Sequence, residues 1–209
     1  MNAITHDQIR ETLAPYGFSP DEGQCRSIRT YISLLLHWNA RVSLTTVVDP
    51  AKILRFHFGE SLYASVCVPI LNGRLADVGS GPGFPGLPLK IALPDLSVTL
   101  IESNIKKAAF LREVIQALKL DHSEVVRERM ENAPSNNREF DFVVARALGN
   151  YPETLKWAHE RLAGSAKVVL WLTSEDASLV SADARWNWAK PTHIPGTERR
   201  VILAGTPIR

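Results

Sequence analysis

The chain has 209 residues, 45% of them hydrophobic and 22% charged, with a formal net charge of +2. This balance fits a soluble globular chain with a full core and excludes a disordered or fibrous one. No apolar run approaches the ~20 residues needed to span a bilayer.

In chain order, residues 1–72 read as a helical region and 73–209 as a domain of alternating strands and helices. Met1–Asp7 lacks the basic-then-apolar character of a secretion signal, so a cytoplasmic protein without membrane association is expected. Ile9 and Leu13 mark a short amphipathic helix stopped by Pro15-Tyr16-Gly17. Ser19, with Glu22 three residues on, has the spacing of a capping box for the next helix. Ile28, Tyr31, Ile32, Leu35 and Trp38 fall on one face of it. Asp49-Pro50 opens another helix, with aspartate as cap and proline in the first turn. Cys25 and Cys67 are isolated, so they read as free thiols of a reducing compartment, and no metal is expected.

Asn72-Gly73 marks the passage to the sheet. Strands are expected at Arg74–Val78, Ser97–Ile101, Glu124–Val126, Phe140–Ala145 and Ala166–Leu172. Helices are expected at about Pro85–Ala92, Asn104–Lys119, Pro152–Leu162 and Glu175–Val180. The Asn104–Lys119 helix shows an apolar stripe of Ile105, Ala108, Ala109, Leu111, Ile115 and Leu118, read as core. Trp186–Ile194 and Arg199–Ala204 resemble a closing antiparallel pair around Pro195-Gly196. Such alternation calls for a mostly parallel sheet covered on both faces.

The most informative stretch is Asp77-Val78-Gly79-Ser80-Gly81-Pro82-Gly83-Phe84-Pro85-Gly86. A buried strand runs into a glycine-dense turn and a helix follows, which is where an open α/β sheet binds a nucleotide-like ligand. Gly81–Gly86 satisfies G-x-G-x-x-G, a weak dinucleotide signal. Pro82, Pro85 and Pro88 carry no N–H for a pyrophosphate. S-adenosylmethionine has no phosphate and suits the turn of Gly79, Ser80, Gly81 and Gly83 better, although a ligand-free surface turn also fits the pattern. Glu102, at the end of the next strand, stands where a carboxylate takes both ribose hydroxyls; it also fits a solvated cap of the helix after it. Lys106, Lys107, Arg112, Arg127, Arg129 and Arg146 flank strand ends, with Arg41, Arg55, His57 and Arg199-Arg200 elsewhere. They are a solvated face or, if gathered on one side, a phosphate-tracking surface.

The run Asp77–Leu89 resembles the motif of the bacterial small-subunit ribosomal RNA guanine-N7 methyltransferases, the glucose-inhibited division protein B family. The similarity extends to Trp38-Asn39, Leu44-Thr45, Asp49-Pro50 and His57-x-x-Glu60-Ser61 upstream. Downstream it takes in Phe110-Leu111-Arg112, Arg129-Met130-Glu131, Phe140-Asp141, Ala145-Arg146-Ala147 and Glu198-Arg199. The resemblance implies a Rossmann-like, seven-stranded S-adenosylmethionine-dependent sheet with an N-terminal helical extension. It implies methylation of guanine N7 in the decoding-region loop of 16S ribosomal RNA, on the RNA or the small subunit; a monomer is expected. Cofactor contacts carry over onto Gly79, Phe84, Met130, Glu131 and Arg146, with Glu102 on the ribose. Arg146 is also the catalytic candidate. Phe84 equally fits a core plug, and Met130-Glu131 an ordinary loop.

Two departures touch the RNA side. Trp171-Leu172-Thr173-Ser174 replaces a Lys-Gly pair common in the family, and Phe56 replaces a basic residue before the motif histidine. Guanine N7 has a free lone pair and no proton, so direct attack on a sulfonium methyl needs no general base. His57 is accordingly read as structural or as an RNA contact. The rival readings are a methyltransferase for another RNA site or a small molecule, and a non-catalytic RNA-binding assembly protein.

Overall fold

The computed structural model describes residues 4–70, 72–133, 140–147 and 149–209; the part of the N-terminal reading that rests on Met1–Ala3 lies outside them. Helix α1 (His6–Leu13) is closed by a reciprocal cap between Thr5 and Gln8, and Gly17 turns the chain at φ 71°. Helix α2 (Glu22–Asn39) starts later than the Ser19 pattern suggests. Its cap is Asp21, whose side chain accepts from the Gln24 N–H while Gln24 reaches back to the Asp21 N–H. Two overlapping capping boxes compete in Ser19–Gln24, and the one after Pro20 forms.

Asp49 caps the next helical run as expected. That run comprises α3 (Pro50–Ile53), a π-helical turn over Leu54–Gly59, α4 (Glu60–Leu62) and α5 (Ala64–Cys67). The wide turn was not legible as periodicity. It lies where Arg55, Phe56, His57 and Glu60 are displayed, in keeping with the tendency of such turns to mark functional segments.

The sheet domain then follows the expected alternation: β1 (Gly73–Val78), α6 (Gly86–Ala92), β2 (Leu96–Ile101), α7 (Ile105–Leu118), β3 (Ser123–Val126) and β4 (Phe140–Arg146). After these come α8 (Tyr151–Arg161), β5 (Leu162–Thr173), α9 (Ser174–Val180), β6 (Trp186–Trp188), β7 (Thr192–His193) and β8 (Arg200–Pro207). The order is β3-β2-β1-β4-β5-β8-β6, with short β7 also pairing β8. Strands β1 to β5 run parallel and β8 returns antiparallel to β5. The closing segment is thus two short strands, β6 and β7, both laid against β8, which makes eight strands rather than seven. Strand order reverses between β1 and β4, and in doubly wound sheets the crevice outside the strand ends at that switch point is the ligand site.

The two faces bury different layers. On one, Ile9, Tyr31, Ile53 and Phe58 of the N-terminal helices join Leu87, Phe110 and Leu111 of α6 and α7 in a continuous core with Val144 and Val169. On the other, Leu155 and Ala158 of α8 and Ala177 of α9 cover Val143, Leu170 and Leu203. The α7 stripe is centred on Ala108, Leu111 and Val114 with Phe110. Ile105 and Ala109 are exposed, because they sit more than 100° around the helix from that line.

Candidate active site

The glycine turn is built from within. Ser80 is buried and its hydroxyl donates to the Asp77 carbonyl at 2.8 Å. The N–H groups of Gly79 and Ser80 both go to the Ile101 carbonyl, at 2.9 and 3.1 Å. Gly83 N–H donates to Ser80 O, and Gly86 N–H to the Asp77 carboxylate at 2.9 Å. The structure shows why glycine is required at Gly83: its φ is 93°, and a Cβ would collide with the Tyr31 hydroxyl. Tyr31 from α2 in turn donates to Pro82 O at 2.5 Å, tying the helical layer to the turn. Asp77 is wholly buried beneath the turn. That burial, reinforced by nearby Glu102, lifts its carboxyl to about 7.

Glu102 directly follows β2 and is 8% exposed. Its two oxygens are split: one accepts from Gly81 N–H at 2.9 Å, the other from Asn104 N–H at 2.7 Å. The helix cap is Asn104, not Glu102: the Asn104 side chain accepts from the N–H groups of Lys106 and Lys107. Each Glu102 oxygen keeps a lone pair for a further donor. Beside it lies a cleft of about 270 Å³ over the ends of β1, β2 and β3. Val78, Ile101 and Met130 supply apolar wall, and Gly79 leaves backbone bare at its edge. Its charged lining is four carboxylates, Glu102, Glu128, Glu131 and Glu153, against one guanidinium, Arg129.

A second cavity, of about 280 Å³, opens at the ends of β4 and β5. Arg146 lines it and is anchored by Nη2, which donates to Phe56 O at 2.8 Å and to Glu60 at 3.0 Å. Its Nη1 is buried without a partner among the described residues. Glu60 is 1% exposed and also pairs with Arg200 from β8 at 2.9 Å. Burial raises the Glu60 carboxyl, and Arg146, Arg200 and Arg55 oppose that rise; burial likewise lowers the Arg146 guanidinium, with Glu60 opposing. Trp171, at the family's Lys-Gly position, donates its indole N–H to the Glu60 carbonyl at 2.7 Å. The replacement therefore braces Glu60 from inside rather than leaving a gap.

The structure divides the expected site residues. Gly79, Glu102, Met130 and Glu131 meet around the first cleft, with Gly81 bonded to Glu102. Arg146 stands in the second cavity. Ser80 and Gly83 shape the turn from behind. Phe84 is 6% exposed, stacked on Tyr31 at 5.3 Å and on His57 at 4.8 Å, so it plugs the core under the turn. His57 bonds Thr45, and burial beside Arg146 and Arg200 holds its ring down at about 4, a neutral imidazole at neutral pH. Sequence reasoning placed Arg200 only within a possible phosphate-tracking surface, marked Trp171 only as a departure on the RNA side, and assigned Glu60 no role. Glu60 stood inside a quoted motif, whereas nothing local distinguished Arg200 from Arg199.

A parallel switch-point sheet with a bare glycine turn, an acid closing the second strand and a phosphate-averse cleft defines a Rossmann-like methyltransferase. A solved precorrin-6y C5,15-methyltransferase from Geobacter metallireducens shares the fold, with a TM-score of 0.57 at 13% identity over 71% of this chain and 87% of that one. The family model described as GidB, rRNA small subunit methyltransferase G, matches residues 24–197. Proteins named ribosomal RNA small subunit methyltransferase G are 40% identical in Roseiflexus castenholzii, covering 94% of this chain and 89% of that protein, and 33% identical in Chloroflexus aggregans, covering 100% and 92%. The chain belongs to the GidB family of small-subunit rRNA methyltransferases.

Proposed function

We propose that this chain transfers the methyl group of S-adenosylmethionine to N7 of a guanine in the decoding-region loop of 16S ribosomal RNA, acting in the cytoplasm as a monomer. One observation carries the cofactor half: the cleft beside the glycine turn offers almost nothing to a phosphate. The N–H groups of Gly79, Ser80, Gly81, Gly83 and Gly86 are all spent on protein acceptors, and Pro82 and Pro85 have none. A pyrophosphate needs such donors and would also face four carboxylates. A sulfonium donor needs neither and is favoured by the acidic lining.

The residues fit that donor. Glu102 would take the ribose hydroxyls on its remaining lone pairs, Met130 and Ile101 would cover the adenine, and Gly79 would admit the amino-acid end. The bound donor supplies an electrophilic methyl with a neutral thioether leaving group. The protein's work is positional: N7 and the methyl carbon must be held in line at about 3–3.5 Å. N7 carries no proton, so no base is required, and His57, neutral and enclosed, is not placed as one. Arg146, anchored by Glu60 and Phe56, faces the neighbouring cavity, where it can donate to an acceptor on the incoming nucleotide. N7 lies on the major-groove edge, which A-form helices bury, so the target must be a loop or opened nucleotide.

The test is transfer of labelled methyl to small ribosomal subunits from a strain lacking this protein. Incorporation at an internal guanine, with strand scission specific for N7-methylguanine, is the expected result. Binding without incorporation would overturn it.

A further inference from the structure

Beside Arg200, which lines the β4–β5 cavity, the ring of Phe56 is in contact with two guanidiniums. The Arg55 Cζ stands 5.4 Å from the ring centroid and the Arg200 Cζ 5.3 Å. The two arginines are 145 positions apart in sequence and come from the π-helical turn and from β8. Glu60 holds Arg146 and Arg200, and Asp176 is the other carboxylate of the cavity lining. Among the described residues Arg55 has no ion pair; its side chain hydrogen-bonds the Tyr16 hydroxyl, and its Nη2 makes a long contact of 3.4 Å to the Gly196 carbonyl. Gly196 leaves space for it: a Cβ there would stand 2.7 Å from Arg55 Nη2. Arg146 and Arg200 line the cavity against the carboxylates of Glu60 and Asp176, and Arg55, held against the Phe56 ring, adds a third guanidinium beside them.

We infer that Arg55 and Arg200, propped on Phe56, form a clamp for the phosphodiester backbone of the RNA strand next to the methylated nucleotide. The inference rests on the ribosomal RNA reading above and adds the surface that holds the strand. Guanidiniums braced on an aromatic face pay little to be ordered and keep in-plane donors for phosphate oxygens. The base itself is a poor match for this charge. Methylation at N7 leaves the guanine ring positive, and a cation cluster against it would oppose the product. A phosphodiester is negative before and after the reaction.

The test is fluorescence anisotropy with a labelled transcript of the decoding-region loop, over a series of salt concentrations. It compares wild type with Arg55→Ala, Arg55→Lys and Arg200→Gln. Arg55→Ala and Arg200→Gln are each expected to weaken binding about 5- to 10-fold at low salt and to reduce the salt slope by about 0.7, one single-strand phosphate contact. Arg55→Lys should keep the slope. Calorimetry with S-adenosylhomocysteine should give one affinity for all four proteins, which shows that the cleft is intact. An unchanged slope in Arg55→Ala would overturn the clamp. Failure of the wild type to methylate small subunits would instead overturn the N7 reading, since the slope comparison does not depend on turnover.

Discussion

Glu102 does two jobs at once: it locks the glycine turn through Gly81 and presents its remaining lone pairs to the cleft. Charge-assisted bonds of that kind are worth about 1.5–3 kcal/mol each. Glu102→Ala should weaken S-adenosylhomocysteine binding on the order of 10- to 100-fold by calorimetry; an unchanged affinity would remove Glu102 from the site. Asp77 and His57 pull stability in opposite directions with pH. Asp77 sits near 7 in the fold against an ordinary 3.8, so the stability it contributes is complete below about 4 and is lost as pH rises through 7. Urea unfolding should therefore show Asp77→Asn gaining on wild type by about 4 kcal/mol between pH 4 and pH 8. His57 sits near 4 against 6.5, so its contribution is present above pH 6.5 and lost as pH falls through 4. His57→Gln should lose less stability than wild type over that acid range, read from the same unfolding curves.

Among the elements, α2 has the widest influence on the site. Tyr31 stacks on Phe84, meets Phe58 edge-on at 5.2 Å and donates to Pro82 O, so one helix face holds the glycine turn from beneath. Tyr31→Phe keeps the packing but leaves the Pro82 carbonyl without this partner. It should cost about 1–2 kcal/mol in denaturant unfolding, and it would loosen the turn without touching the cleft. The apolar period that predicted α2 was legible because it depends on one strip of one sequence. Its start was not: both Ser19 and Asp21 satisfy a capping pattern, and contacts elsewhere chose between them. Arg10 donates to the Pro20 carbonyl, and Gln24 reaches the Ile91 and Ala92 carbonyls of α6. The π-helical turn over Leu54–Gly59 is a similar case. It brings Glu60 beneath Arg146 and Arg200, partners 86 and 140 positions away.

For the molecule as a whole, the N-terminal helices share their core with the sheet. Ile9, Leu13, Tyr31 and Phe58 belong to the same buried cluster as Val144, Val169 and Ile202. A chain lacking residues 1–48 would expose the side chains beneath α1 and α2 and the support of the glycine turn. It should lose a cooperative thermal transition by calorimetry, whereas a retained sharp transition would show that the sheet folds alone. No helix among the described residues is long and apolar enough to cross a membrane.

The order of strands and helices, the glycine turn and the acid after β2 could all be read from the residues alone. Each is a short-range pattern: hydrophobic period, a backbone conformation open chiefly to glycine, and a charged group at the end of a buried run. The separation of the site into an acidic cleft and an ion-paired, arginine-lined cavity could not. It depends on Glu60, Arg146, Trp171 and Arg200 meeting across four segments, and only the crossing of the strands and the return of β8 bring them within bonding distance. The same holds for the packing of Phe84, which Tyr31 and His57 stack against from distant segments.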